Sequence, residues 1–260
     1  MGKRSHFILV HGAGHGAWCW YKLASLLESA GHKVTAMDLT GCGIDSTSIS
    51  EVKSVREYVK PLMEVMSALL PDERVVIVGH SLGGMSISFA IQAFPHKIAV
   101  AVFATAFICS PDSPLSESFI ENYRRTSDGS TLLDSQLYFD EGPENLPTAV
   151  LFGEQLLTEK MYQLCPSEDV KLASKLMRPS KLFVSELHDS SLFTKERYGS
   201  VPKVYIKCTK DKILTENFQQ WMINRASVTE VIEIDSDHMV MLSKPRELFD
   251  CLLEVTEKYI

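Results

Sequence analysis

The clearest candidate for a reactive side chain in this sequence is a serine that lies between two glycines. Residues 79–83 read Gly-His-Ser-Leu-Gly, the pattern G-x-S-x-G, and they lie between an apolar run typical of a strand and a segment typical of a helix. So tight a turn needs small residues around the serine, and it exposes the hydroxyl above the sheet. Ser81 is therefore predicted to be a nucleophile, the alternative being an ordinary glycine-rich turn.

A serine hydroxyl is a weak nucleophile until a base removes its proton, so a histidine is needed near Ser81. His238 lies in a loop-like stretch, residues 235–239, between an apolar strand and the last helix. His238 is therefore predicted to be the general base. The other seven histidines are expected in edge, architectural or outward-facing positions: His6, His32, His96 and His188 at edges, His11 and His15 beside the first loop, and His80 pointing away from the site.

The base needs a carboxylate that holds its ring in the correct tautomer. Asp211 follows the predicted strand 203–207 and comes between Ser81 and His238 in the chain, so it fits this role. Asp235 and Asp237 are rivals, but they are so close to His238 in sequence that capping their own loop is the more natural role.

The negative oxygen formed when a serine attacks a carbonyl needs two backbone N–H donors. One is expected from Leu82, directly after the nucleophile, and the other from Ala13 in the loop 11–14, which reads His-Gly-Ala-Gly. Such donors are invisible to motif searches because they belong to the main chain. A glycine-rich loop paired with G-x-S-x-G is nevertheless a stronger signal than either alone.

The elements around these residues alternate between strand and helix. Compact apolar runs predict six core strands at residues 7–10, 33–39, 74–78, 98–104, 203–207 and 228–234. Helical spacing separates them, for example at 54–70, where Ser54 and Glu57 form a capping box and Pro61 predicts a kink or a late start. Buried strands between helices predict an α/β fold with a six-stranded, mainly parallel sheet and helices on both faces.

The middle of the chain has a different character. Residues 110–199 contain repeated prolines and short helical pieces, and no run there is dense in β-branched residues. This segment is predicted to be an inserted cap over the carboxyl ends of the strands, where α/β proteins bind ligands. The predicted core is therefore 1–109 together with 200–260.

Composition excludes several functions. With 260 residues, 45% hydrophobic residues and a net charge of −7, the chain has the character of a globular protein without a basic stripe for nucleic acid. No apolar run approaches about 18 residues, so no membrane association is expected. The six cysteines are widely spaced, which favours reduced thiols over a metal site or a disulfide framework. We expect a cytoplasmic protein with no metal and no organic cofactor; the sequence leaves open whether it forms a homodimer.

Long stretches of the sequence resemble a known family. Residues 7–23, 30–36, 79–85 and 237–242, and shorter segments at 162–165, 178–180 and 197–201, are similar to the plant methylesterase and hydroxynitrile lyase family of α/β-hydrolases. The resemblance covers the whole chain. It implies the α/β-hydrolase fold and a serine carboxylesterase that acts on small-molecule esters.

The resemblance also implies substrate-binding residues. Lyases of the family carry a polar side chain where Gly12 stands, and one lyase branch has lysine where Met239 stands, so both positions favour an esterase. Tyr123, Phe152 and Leu182 are implied to line the acyl pocket, with the side chain of Leu82 added from the core; packing within the cap is the alternative for each. Leu132 and Leu137 stand where aromatic residues are expected in salicylate-type enzymes.

The predicted function is hydrolysis of methyl esters of small plant acids or alkaloid intermediates through an acyl-enzyme. Two alternatives stay open at this point. One is a hydroxynitrile lyase, which Gly12 disfavours. The other is a small-molecule receptor on a hydrolase scaffold, which would bind its ligand with slow turnover.

Overall fold

The computed structural model describes residues 4–126 and 132–260. Within these ranges the strands are β1 (His6–Val10), β2 (Lys33–Met37), β3 (Val75–Ser81), β4 (Ile98–Ala106), β5 (Gln136–Tyr138), β6 (Ala149–Leu151), β7 (Ser180–Lys181), β8 (Lys203–Cys208) and β9 (Glu230–Ile234). The α-helices are α1 (Tyr21–Ser29), α2 (Val55–Tyr58), α3 (Lys60–Ala68), α4 (Gly83–Ala93), α5 (Ser116–Thr126), α6 (Glu154–Leu156), α7 (Ser167–Leu176), α8 (Glu216–Arg225), α9 (Val240–Ser243) and α10 (Pro245–Tyr259). A π-helical turn, Leu157–Met161, continues α6, and short 3₁₀ turns join several other elements.

One large sheet organises the chain. Its strand order is β2-β1-β3-β4-β8-β9, and all neighbouring strands are parallel. Every residue of the two central strands, β3 and β4, is buried, which explains why these segments read as continuous apolar runs. The predicted α/β-hydrolase fold with a six-stranded parallel sheet is confirmed.

Alternate strand residues face two hydrophobic clusters, one on each side of the sheet. Ile77 and Phe103 pack on the side of α3, α4 and α8. Val78 and Val102 pack on the opposite side, with residues of α1 and α10. Because both faces are covered, the sheet is fixed in register, and the loops at its carboxyl edge are held close together.

Two predicted boundaries need correction or refinement. β3 does not end at Val78 but continues to Ser81, so the first half of the serine motif belongs to the strand. The predicted helix 54–70 is divided at Val59 into α2 and α3, with Pro61 in the first turn of α3, where its missing N–H costs no hydrogen bond. The expected N-cap is present, since Ser54 Oγ accepts from the N–H of Glu57 at 3.2 Å.

The segment between β4 and β8 contains a second, small sheet that the sequence pattern did not indicate. β5, β6 and β7 pair antiparallel in that order. They are two or three residues long, too short for an alternating pattern to be visible.

The cysteines and the lengths of the helices bear on two expectations from composition. All six cysteines are free thiols, as expected, and Cys19, Cys42, Cys109 and Cys208 are buried. In residues 4–126 and 132–260 no helix has both the length and the apolar character needed to cross a membrane.

Candidate active site

Ser81 stands on a strained turn between β3 and α4. Its φ of +53° lies in the left-handed region, which is uncommon for any residue with a side chain. A Cβ atom on Gly79 would lie 2.8 Å from the Gly83 oxygen, and one on Gly83 would lie 2.6 Å from the Val10 oxygen. The turn therefore closes only with glycine at both positions, as the motif predicts.

His238 and Asp211 meet at the carboxyl edge of the sheet. His238 Nδ1 lies 2.7 Å from Asp211 Oδ2, and the two side chains are 2% and 0% exposed. A carboxylate can only accept, so Nδ1 donates in this bond, as it does in the neutral tautomer that leaves Nε2 as an acceptor. The structure thus joins two of the three predicted catalytic residues in the tautomer that a general base requires.

The Asp211 carboxylate accepts from three further donors. Oδ1 accepts from the backbone N–H groups of Ile213 at 2.7 Å and Leu214 at 3.0 Å. Oδ2, the oxygen that faces His238, also accepts from Thr105 Oγ1 at 2.6 Å. Four hydrogen bonds leave this carboxylate little freedom to rotate. Thr105 was not identified from the sequence, because nothing in its local spacing marks it.

His80 links the turn at Ser81 to the loop that carries His238. Its Nε2 donates to the His238 carbonyl oxygen at 2.8 Å, and the two ring centroids are 4.7 Å apart. Burial lowers the pKa of His80 well below its ordinary value, so the ring is neutral. The expectation that His80 points away from the site is wrong. Since His80 precedes Ser81, this bond fixes the main chain at His238 relative to Ser81.

The first loop, residues 11–14, passes directly beside Ser81. A Cβ on Gly12 would lie 2.7 Å from the Ser81 Cβ, so a side chain at this position would require the loop or the Ser81 turn to shift. Ala13, Ser81 and Leu82 line one cavity, and Leu82 begins the turn into α4, where N–H groups lack helical partners. The two predicted oxyanion donors, the N–H groups of Ala13 and Leu82, are therefore on elements that meet at Ser81.

Two buried histidines hold this loop in place. His11 Nδ1 donates to the Gly12 oxygen at 2.8 Å, while its Nε2 accepts from the Leu39 N–H at 3.1 Å. His15 Nδ1 donates to the Ala13 oxygen at 2.7 Å, and its Nε2 accepts from the Tyr162 hydroxyl at 2.6 Å. Burial lowers the pKa of His15 to about 3. Both residues are architectural, as expected.

The edge histidines differ in their surroundings. His6 is the first residue of β1, as an edge position implies, but it is buried, with its ring nitrogens 2.7 Å from Glu73 Oε1 and 2.8 Å from Thr35 Oγ1. His96 is exposed, and His188 is exposed with its Nδ1 3.0 Å from Ser116 Oγ. None of these side chains lines the cavity at Ser81.

An apolar cavity of about 120 Å³ adjoins Ser81. The side chains implied by the resemblance, Tyr123, Phe152, Leu182 and Leu82, all line it, together with Leu132 and Leu137. No described residue on its wall is charged, and the polar ones apart from Ser81 are Asn122, Tyr123 and Thr126. Such a wall suits an uncharged, largely apolar acyl group, because a buried ion would lack a partner.

Met239 does not appear among the described residues that line this cavity. It is fully buried in the cluster on the α1 and α10 side of the sheet, and its N–H donates to Asp237 Oδ1 at 3.1 Å. The side chain of Met239 therefore packs in the core next to His238. The contact with substrate that the resemblance implied for Met239 is not present among the described residues of this cavity.

The rival carboxylates have other partners. Asp237 Oδ1 accepts from Ser243 Oγ at 2.6 Å, and its Oδ2 accepts from the Leu164 N–H at 2.8 Å. Asp237 thus caps its own loop, as expected, and also ties that loop to the middle segment. Asp235 is exposed and accepts from Thr209 Oγ1 at 2.8 Å.

Arg178 provides a second tie between the middle segment and the core. Its backbone N–H donates to the Gly14 oxygen at 3.1 Å. Its guanidinium donates to three backbone oxygens after β2, those of Gly43 at 3.1 Å, Asp45 at 2.6 Å and Thr47 at 3.1 Å. One residue therefore fixes both the first loop and the loop after β2.

Comparison with known proteins agrees with this architecture. The model of the "Alpha/beta hydrolase family" matches residues 7–250. Salicylic acid-binding protein 2 of Nicotiana tabacum is 49% identical over 261 residues, and methyl jasmonate esterase 1 of Vitis vinifera is 48% identical over 262 residues; in both comparisons 100% of each chain is covered. A crystal structure of polyneuridine aldehyde esterase has a TM-score of 0.91 and 46% identity, covering 98% of this chain and 100% of that one.

A serine on a strand-to-helix turn, above a parallel sheet and beside a buried His–Asp pair, defines the class as a serine-hydrolase scaffold. The chain belongs to the α/β-hydrolase family. The predicted resemblance is thereby confirmed, and the esterases among the relatives support the predicted ester hydrolase.

Proposed function

We propose that this protein hydrolyses methyl esters of small plant acids or alkaloid intermediates. The observation that carries the proposal is the 2.7 Å hydrogen bond between His238 Nδ1 and Asp211 Oδ2, next to the strained turn that presents Ser81. The relatives named for ester hydrolysis support the reaction type over the full length of the chain.

In the first step Ser81 Oγ attacks the ester carbonyl while His238 Nε2 takes the hydroxyl proton. The new C–O bond forms as the carbonyl π electrons move to oxygen. The N–H groups of Ala13 and Leu82 donate to this oxygen, and each such donor contributes about 3–4 kcal/mol of transition-state stabilisation. Asp211 stabilises the imidazolium that forms.

Collapse of the intermediate breaks the bond to methoxide, which leaves as methanol with the proton from His238. A water molecule then attacks the acyl-Ser81 carbonyl, with His238 again as the base. The acid is released, and the proton returns to Ser81 Oγ. Atoms and charges balance without metal or organic cofactor.

Segment 110–199 is proposed to be the cap of this site, on a core of 1–109 and 200–260. Its residues Tyr123, Phe152 and Leu182 are proposed to bind the acyl group within the uncharged cavity. Gly12 is proposed to leave room for the substrate carbonyl. A cytoplasmic location and the lack of a nucleic-acid partner stay predictions, and the assembly state stays open.

The proposal is tested by Ser81→Ala. This variant should lower kcat for p-nitrophenyl acetate and for methyl esters by about 10⁶-fold. Near-wild-type activity in this variant would contradict the assignment of the nucleophile. A panel of methyl salicylate, methyl jasmonate, methyl indole-acetate and an alkaloid methyl ester, each followed by acid release, identifies the preferred acyl group.

The same preparation separates the two alternative functions. Brisk cyanide release from mandelonitrile would indicate a lyase. Ligand-induced thermal stabilisation by an acid, combined with single turnover of its ester, would indicate a receptor. Multiple turnovers of a methyl ester, lost in Ser81→Ala, support the hydrolase.

A further inference from the structure

Thr105 has a backbone conformation that its residue type resists. Its φ is +38°, in the left-handed region, where a β-branched side chain is an outlier. The residue is fully buried next to the end of β4. Strained residues of this kind persist where the surrounding structure holds them, and they concentrate at functional sites.

The strain coincides with a shift in strand pairing. His80 pairs with Ala104, but Ser81 pairs with Ala106, so Thr105 has no partner on β3 and forms a bulge. Simple alternation would place residue 105 on the same face as Phe103; in the structure Ala106 joins the cluster on that face. The bulge therefore removes Thr105 from the alternating pattern of the strand.

The bulge brings the Thr105 hydroxyl to Asp211. Oγ1 donates to Asp211 Oδ2 at 2.6 Å, and the same oxygen accepts from His238 Nδ1 at 2.7 Å. The other donors to this carboxylate among the described residues are backbone N–H groups that follow it in the chain. Thr105 thus reaches the carboxylate from a different strand, 106 residues away.

We propose that Thr105 is a positioning residue for hydrolysis. Its hydroxyl fixes the rotation of the Asp211 carboxylate so that Oδ2 stays in line with His238 Nδ1. The hydrogen bond also stabilises the ionised carboxylate that must face the imidazolium. The strained bulge is retained because an unstrained strand would direct residue 105 elsewhere. This proposal rests on the proposed function of Ser81, His238 and Asp211.

Thr105→Val keeps the shape of the side chain and removes only the hydroxyl. It should lower kcat for a methyl ester by about 10- to 100-fold, the effect of losing one hydrogen bond to a charged group, with KM unchanged. Thr105→Ser restores the hydroxyl and should restore most of kcat. Wild-type kcat in Thr105→Val, or an equal loss in Thr105→Ser, would overturn the proposal.

Two further variants separate positioning from folding. Thr105→Gly relieves the strain of the positive φ, because glycine adopts this conformation readily. Its kcat should decrease as much as that of Thr105→Val, while its Tm should be no lower than that of Thr105→Val. A Thr105→Gly variant with full kcat would count against the proposal. Thr256→Val is the matched control, because Thr256 is also buried but donates to the Leu252 oxygen in α10; its kcat should not change.

Ser81→Ala in the same assay distinguishes a failure of the proposed role of Thr105 from a failure of the proposed function. If Ser81→Ala is inactive and Thr105→Val is fully active, only the role of Thr105 is wrong. If Ser81→Ala keeps wild-type turnover, the proposed function itself is wrong.

Discussion

The turns at the carboxyl edge of the large sheet and the segment between β4 and β8 hold their candidate site residues in different ways. Asp211 and His238 follow β8 and β9, and each is held by hydrogen bonds from buried neighbours. Tyr123, Phe152 and Leu182 come from the segment between β4 and β8, are only partly buried, and meet at an uncharged cavity. Hydrogen bonds are directional, whereas apolar packing depends mainly on volume and area.

Under the proposed function, the core turns set the geometry of the reaction, while the middle segment sets which acyl group fits. Changes in the core turns should therefore lower kcat, and changes in the cavity wall should act on the choice of substrate. The two regions are joined at Asp237 and Arg178, whose hydrogen bonds cross between them. Four predictions test the distinction, beginning with the largest effect.

Asp211→Asn should lower kcat by about 10⁴-fold with KM unchanged. The amide keeps the shape of the carboxylate but favours the wrong tautomer of His238 and cannot stabilise its charged form. Steady-state kinetics with a methyl ester measure the effect. A rise in KM with kcat preserved would place Asp211 among the substrate-binding groups instead.

Gly12→Ala should lower kcat by about 100-fold, because the added Cβ would lie 2.7 Å from the Ser81 Cβ and displace the nucleophile. Gly31→Ala is the matched control. Its Cβ meets nothing within 4 Å, but its φ of +90° disfavours alanine, so it should lose about 1 kcal/mol of stability with normal kcat. Equal kcat losses in both variants would indicate general damage.

Acid should destabilise the core through its buried histidines. The pKa of His15 falls from 6.5 to about 3 on folding, so below pH 6.5 the unfolded chain binds a proton that the folded chain refuses. This contribution is complete above pH 6.5 and decreases toward pH 3, by about 2 kcal/mol between pH 6.5 and 5. Urea unfolding of wild type at pH 7.5 and 5 measures the loss.

His15→Gln should show a smaller loss of stability between these two pH values. His188→Gln, at an exposed histidine of the middle segment, should leave the loss unchanged. The prediction fails if both variants match the wild type.

Leu182→Ala should have the smallest effect and act on substrate choice. Removing apolar contact from the cavity wall should lower kcat/KM for the preferred methyl ester by about 10-fold. Turnover of p-nitrophenyl acetate, whose short acyl group needs less of the wall, should change less. An equal decrease for both esters would mean that Leu182 supports the fold and does not select the acyl group.

Local patterns predicted much of the fold. Apolar runs predicted all six strands of the large sheet, and the signal was strongest for β1, β3, β4 and β8, because these strands are covered on both faces and bury every residue. Pro61 marked the break between α2 and α3, since proline suits the first turn of a helix. The small sheet of β5, β6 and β7 was missed because strands of two or three residues have no measurable period.

The candidate site also has residues that the sequence predicted and contacts that it did not. Ser81 was found from its flanking glycines, and Asp211 and His238 from their places after strands. The contacts that orient them were not found. His80 donates to the main chain of a residue 158 positions later in the sequence, and Thr105 donates to Asp211, 106 positions away. Spacing between near neighbours in the chain cannot predict contacts over such separations.

Local sequence patterns were therefore enough to predict the kind of sheet, the turn at Ser81 and the candidate reacting groups, because periodicity and turn chemistry act between near neighbours in the chain. Long-range packing, by contrast, places Met239 in the core, brings Arg178 to the loop after β2 and directs Thr105 to the carboxylate through a bulge. These outcomes depend on which loops meet at the sheet edge. That is settled by the packing of both hydrophobic faces at once.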